Sequence, residues 1–187
     1  GRDLLWSPDG EWIAYASIGN ADGVFIAPVN GSSEPRRLSS LGYESLAGFS
    51  TDGAILFYAI PGATDEGFLL RSVVIQTGET QDLFVLENSS RKAPMPVISP
   101  DGKWIAYRAN DNSSLYVKGM DGSSARLLLD KPAIAINGLV WGKHSNLIGI
   151  SMITDDAQDG EVILLQLDNC EVNRLRLRGV LEGIDIP

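Results

Sequence analysis

One cysteine and one histidine are all that this 187-residue chain offers to thiol and imidazole chemistry. A lone Cys170 allows no internal disulfide and no thiolate metal cage, and nothing near it supplies the electropositive setting that a reactive thiol needs. With His144 the only imidazole, every Ser-His-Asp or histidine-based metal arrangement would have to pass through it, and no second metal-type ligand stands at a suitable spacing. Gly-x-Ser-x-Gly, Gly-x-Gly-x-x-Gly and a phosphate loop are all missing. Basic residues are also scarce: 15 Lys and Arg against 24 Asp and Glu leave a formal net charge of −9, too negative to neutralise a phosphate backbone or an anionic leaflet. No apolar run approaches the roughly 18 residues of a membrane span, and no signal-peptide pattern opens the chain. The balance excludes nucleic acid as a partner and a membrane span, and it gives no reason to expect a cofactor or a metal.

Hydrophobic residues make up 44% of the chain, enough for a sizeable core, and 20 glycines with 9 prolines supply punctuation for many short strands. Two segments nearly coincide: Trp6-Ser-Pro-Asp-Gly-Glu-Trp-Ile-Ala-Tyr15 and Ile98-Ser-Pro-Asp-Gly-Lys-Trp-Ile-Ala-Tyr107 share eight of ten positions. Degraded copies follow at Phe49–Tyr58, with Thr51 in place of proline, and at Trp141–Ile150, where Gly142-Lys-His-Ser-Asn146 replaces the turn. Taking Ser7, Ser50, Ser99 and Gly142 as equivalent, the spacings are 43, 49 and 43 residues. One four-stranded propeller blade needs about 40–50.

The chemistry of the motif agrees with the count. In Ser-Pro-Asp-Gly, proline presets φ at the first central position, aspartate can hydrogen-bond its own backbone, and glycine accepts a positive φ. The following Trp12–Ala16 is too short for a stable helix and apolar on both faces, so it must be covered twice. Alternation of Ala14 with Tyr15, and of Ala106 with Tyr107, predicts small and large residues interleaving between blades. Strands are expected at Leu4–Trp6, Trp12–Ser17, Val24–Val29 and Arg36–Ser39 in the first blade, and at Pro96–Ser99, Trp104–Ala109, Leu115–Met120 and Ala125–Leu129 in the third. Hairpins turn at Asn30-Gly31, Thr77-Gly78, Asp121-Gly122 and Asp168-Asn169. Blade limits fall near 1–41, 42–87, 88–131 and 132–180.

These residues resemble the WD40-like, TolB-type (PD40) propeller repeat, whose hallmark is an x-Ser-Pro-Asp-Gly turn followed by a Lys/Arg-x-Ile-Ala-Phe/Tyr strand. The resemblance spans the whole chain and implies an all-β β-propeller in a single domain. Relatives include the periplasmic TolB of the Tol–Pal envelope system and the gating propellers of prolyl-oligopeptidase-like and tricorn-like serine peptidases. They usually close rings of six or more blades, and four copies here imply part of a larger ring. A closed four-bladed ring and two chains pairing into an eight-bladed ring are the alternatives, and open blade edges invite self-association.

The expected function is therefore a non-catalytic binding or scaffold module for a protein or peptide, periplasmic or extracellular, with a cytoplasmic setting also open. The alternative is the substrate-gating propeller of a serine peptidase. Binding is expected on the loops that enter each first strand or join second to third strands. Within them Tyr43, Arg91, Lys92 and Met95 have the aromatic, basic or amphipathic character that interfaces favour. The acidic loop Asp155–Glu161 fails the calcium-loop pattern, because Ala157 and Gln166 stand at ligand positions. Arg36-Arg37 and the run Arg174, Arg176, Arg178 are expected on solvated strand faces.

Overall fold

Each Ser-x-Asp-Gly segment closes on itself, and the sheets grow outward from these turns. In the computed structural model, which describes residues 4–17, 23–62, 67–87, 94–109, 113–130, 134–154, 159–167 and 172–178, the aspartate locks the first three turns in the same way. Asp52 Oδ1 accepts from the Ser50 hydroxyl at 2.6 Å and from Ala54 N at 3.1 Å, while Ser50 Oγ accepts from Ile55 N at 2.9 Å. Asp101 does the same with Ser99 and Lys103, and Asp9 with Ser7 and Glu11. The serine hydroxyl and two backbone amides are thereby satisfied without any tertiary contact.

The carboxyls respond to these bonds. Those of Asp9 and Asp52 lie below the usual carboxylate range, chiefly through the hydroxyls of Ser7 and Ser50. Burial pushes Asp101 up, but hydrogen bonds from the Ser99 hydroxyl, the Lys103 amide and Ser145, with the Lys103 ammonium nearby, leave the group lowered.

The fourth turn has none of these side chains yet keeps the backbone shape. Gly142 N donates to Leu147 O at 2.8 Å and Ser145 N to Gly142 O at 3.0 Å, matching Ser50 N to Ile55 O and Gly53 N to Ser50 O. Ser145 takes the glycine's place in the left-handed region at φ 59°. Sequence comparison reads this turn as replaced; the structure shows the same turn without its side-chain lock.

Four antiparallel sheets result, each a meander of four consecutive strands. The first comprises β1 (Leu4–Trp6), β2 (Trp12–Ser17), β3 (Gly23–Pro28) and β4 (Arg36–Arg37). The second holds β5 (Ser45–Phe49), β6 (Ile55–Pro61), β7 (Phe68–Val74) and β8 (Thr80–Leu86). In the third are β9 (Val97–Ile98), β10 (Trp104–Ala109), β11 (Ser114–Gly119) and β12 (Arg126–Asp130), and in the fourth β13 (Ile134–Trp141), β14 (Leu147–Thr154), β15 (Asp159–Gln166) and β16 (Val172–Arg178). The expected strands of the first and third blades are found within two residues at each end, and Gly78 turns at φ 76° as expected. The Asp168-Asn169 turn lies outside the described residues.

The chain divides into two compact units, Gly1–Glu87 and Asn88–Pro187. Each is a pair of sheets with its own core. In the first unit Ala14, Ala16, Val24 and Ile26 of one sheet meet Leu56, Tyr58, Ile60 and Val73 of the next. In the second, Ala106, Leu115 and Val117 meet Ile148, Ile150, Met152, Ile163 and Leu165. Small residues on one face thus receive large ones from the other, the interleaving that the alternation of Ala14 and Tyr15 implies. The reverse face of each leading sheet carries a cross-strand aromatic stack: Tyr15 on Phe25 at 5.2 Å and Tyr107 on Tyr116 at 5.9 Å between ring centroids. Leu4 and Trp6 on β1 are 62% and 58% exposed.

Arg36 and Arg37 are exposed, as expected, but each is also committed. Arg36 Nη2 donates to the carbonyl of Ile75 in the neighbouring sheet, and the Arg37 guanidinium sits 5.8 Å from the centre of the Phe25 ring.

Candidate functional site

Between β4 and β5 the chain makes a tight loop, Ser40-Leu41-Gly42-Tyr43-Glu44, that presents apolar side chains outward. Gly42 and Tyr43 both have positive φ, 75° and 63°. For tyrosine that conformation costs about 1–2 kcal/mol, because Cβ crowds the following carbonyl. The loop is held from beneath by Glu44, only 7% exposed, whose Oε1 accepts from the Ser39 hydroxyl at 2.6 Å and from Leu41 N at 2.8 Å. With its carboxylate so engaged, Tyr43 is 74% exposed and Leu41 beside it is exposed as well. A strained, pinned backbone that turns a large aromatic into solvent is the pattern of a recognition loop.

Under this loop lies a polar break in the first unit's core. Tyr58 is fully buried, and its hydroxyl has no hydrogen-bond partner at ordinary geometry, although Arg71, Glu44 and Ser39 all stand near enough to influence it. Burial pushes the phenol up, and the Arg71 guanidinium opposes that rise. Arg71 is Tyr58's cross-strand partner and pairs through Nε with Asp82 Oδ1 at 2.5 Å. That bond holds the Asp82 carboxyl below its usual range.

Of the four residues expected from the sequence, Tyr43 belongs to this loop in the first unit. Met95 lies in the second unit, in the segment leading into β9; it is half-buried, with φ 45°. Arg91 and Lys92 lie outside the described residues, as do Cys170 and most of the acidic loop at 155–158. His144 is exposed in the fourth turn. Among the described residues no group of three or more His, Cys, Asp or Glu is placed to hold a metal ion, and no helix is long and apolar enough to cross a membrane.

Sequence reasoning missed Glu44, Ser39 and Arg71, and it missed two grooves. One, of about 520 Å³, opens in the first unit between the turns of the two sheets, with Trp12, Ile26 and Ile75 at its floor and Asp9, Glu34 and Asp52 at its rim. The other, of about 450 Å³, occupies the same place in the second unit, lined by Trp104, Val117, Leu167 and Arg126. The repeated Trp12/Trp104 and Arg36/Arg126 pairs were the available signal.

No family model and no curated protein matches the chain. Solved structures do. A TolB-type protein from Agrobacterium tumefaciens superposes with a TM-score of 0.75 at 22% identity, over 98% of this chain and 69% of that one. The β-propeller domain of Cps50 (Swd1) from Myceliophteria thermophila gives 0.68 at 13% identity, over 97% and 57%. The tricorn protease gives 0.66 at 13% identity, over 92% of this chain and 16% of that protein. With sheets, turns and cores of this kind, the chain has an all-β fold, a TolB-like β-propeller arrangement of four small antiparallel sheets.

Proposed function

We propose that the chain is a non-catalytic binding module for a protein or peptide partner, acting in the periplasm or outside the cell as TolB-like envelope proteins are expected to. The observation that carries this reading is Tyr43, an exposed aromatic in a left-handed conformation that Glu44 holds from below. Strain of this kind persists only where the surroundings enforce it, and its usual location is a ligand clamp or recognition loop.

The test separates affinity from stability. Peptides selected from a displayed library on the full chain are titrated calorimetrically against wild type, Tyr43→Ala and Tyr43→Gly. Both variants are expected to weaken binding about tenfold or more, as removal of a central aromatic anchor does. Tyr43→Gly is expected at the same time to raise the melting temperature, because glycine adopts this φ without strain. Undiminished binding in both variants would reject the loop as the site.

A second reading is the substrate-gating propeller of a serine peptidase, favoured by the likeness to the tricorn protease. A Gly-x-Ser-x-Gly elbow with downstream Asp and His in the parent reading frame would select it. An export signal with an N-terminal envelope domain would select the binding module.

A further inference from the structure

The two grooves descend from one repeat position but differ in charge. Their floors correspond: Trp12 with Trp104, Ile26 with Val117 and Ile75 with Leu167. Their rims do not. Glu11 in the first turn is Lys103 in the third, Asp52 in the second is His144 in the fourth, and Glu34, two residues before Arg36, is Ser124, two before Arg126.

The carboxylates of the two units therefore meet different company. In the second unit the ammonium of Lys103 lies 4.0 Å from Asp101 Oδ2. In the first, four carboxylates, of Asp9, Glu11, Glu34 and Asp52, line the groove with one guanidinium, and that one, Arg36, is bonded to the Ile75 carbonyl. An apolar floor containing tryptophan beneath an acidic rim suits a side chain with an apolar stem and a flat cationic head. A volume of about 520 Å³ is within the range of sites that enclose a small ligand or a few side chains.

We propose that the groove of the first unit is a docking site for an extended, arginine-bearing segment of a partner protein, selected by charge, and that the second unit's groove has lost this selectivity. The site stands apart from the Tyr43 loop. That loop leads into the start of β5, whereas the groove includes the turn at its end, about 16 Å away at ~3.3 Å per residue. Neither reading depends on the other.

Three fluorescein-labelled hexapeptides serve as probes for the full chain in an anisotropy titration: one with two leucines and two arginines, one with citrulline for arginine, and one with glutamate. Saturable binding of the arginine peptide alone, weakening as salt rises, is the expected result. Glu11→Gln with Glu34→Gln should weaken it about fivefold, the sum of two exposed charge contacts. Tyr43→Ala should leave it unchanged. Both glutamates are exposed, so the double variant should keep the wild-type circular dichroism, and the citrulline comparison needs no variant at all. Equal binding of the citrulline or glutamate peptide, no saturation by the arginine peptide, an unaffected double variant, or loss of binding in Tyr43→Ala would each overturn the proposal.

Discussion

The two units are variations on one plan, and one cross-strand pair at equivalent positions of their cores separates them in polarity. Where the first unit sets Tyr58 opposite Arg71, the second sets Ile150 opposite Ile163, in the same register. The aliphatic pair puts no polar atom at this position. The aromatic and cationic pair leaves a buried hydroxyl without a hydrogen bond, at a cost of about 1–3 kcal/mol. One strand position further on, the asymmetry reverses. Ala59 in the first unit is apolar and fully buried, whereas its counterpart Ser151 in the second is fully buried with an unpartnered hydroxyl. Among the described residues, each unit therefore tolerates a buried, unpartnered hydroxyl at a position where the other has none. Blade-to-blade packing demands volume in a fixed place and is permissive about which atoms supply it.

The largest expected effects come from removing that volume. Leu56→Ala in the first unit and Ile148→Ala in the second empty equivalent, fully buried positions, and each should cost about 2–5 kcal/mol. Hydrogen exchange followed by mass spectrometry should show the loss concentrated in the unit that carries the change. Equal loss of protection in both units would mean that they open together.

The turns give the next contrast. Gly53 has φ 74°, and a Cβ there would stand 2.8 Å from Asp9 Oδ2, so Gly53→Ala should destabilise by about 1–2 kcal/mol. At the equivalent Ser145 strain is already present, but the hydroxyl accepts from Asp101 N at 3.0 Å. Ser145→Gly exchanges one term for the other and should change urea stability by less than about 1 kcal/mol. A large loss there would show the hydroxyl to be the stronger of the two.

The buried hydroxyls give a modest but more selective effect. Tyr58→Phe removes the unpartnered hydroxyl, keeps the ring, and should stabilise the first unit by about 1 kcal/mol, as Ser151→Ala should the second. Tyr58→Phe alone should also alter the alkaline limb. Burial raises the phenol above its ordinary value of 10.0, so the folded state holds this proton more tightly than the unfolded one. The resulting stability is complete below about pH 10 and is lost as pH rises through the folded-state value. Denaturant midpoints measured from about pH 9 to 11 should therefore fall less steeply in Tyr58→Phe than in wild type. Ser151→Ala should show no such change.

Much of this architecture is legible in local sequence because the turns are local objects. Ser7, Asp9 and Gly10 make a closed set of bonds among themselves and their neighbours, so the motif announces a hairpin wherever it occurs. The fourth turn hides from the same reading because backbone hydrogen bonds alone maintain it. The Tyr43 loop was half legible. Tyr43 stands out by type and position, but Glu44 reads as one more surface acid until the fold buries it and turns Ser39 toward it. The grooves were not legible, since their walls come from residues some forty positions apart, such as Asp9 and Asp52 or Arg36 and Ile75. Only register between sheets brings those together.

The meander within each sheet also governs how the chain reaches this state. Within each sheet every strand pairs with the next in sequence, so each blade has low contact order and can zip from its first hairpin as soon as the strand that follows is available. A single blade so formed still shows the face of Ala14 and Val24 to water, and it gains a core only when Leu56 and Tyr58 arrive to cover it. The smallest piece of the chain with a buried core is therefore the two-blade pair, so folding of each unit is expected to become cooperative only when its second blade is in place.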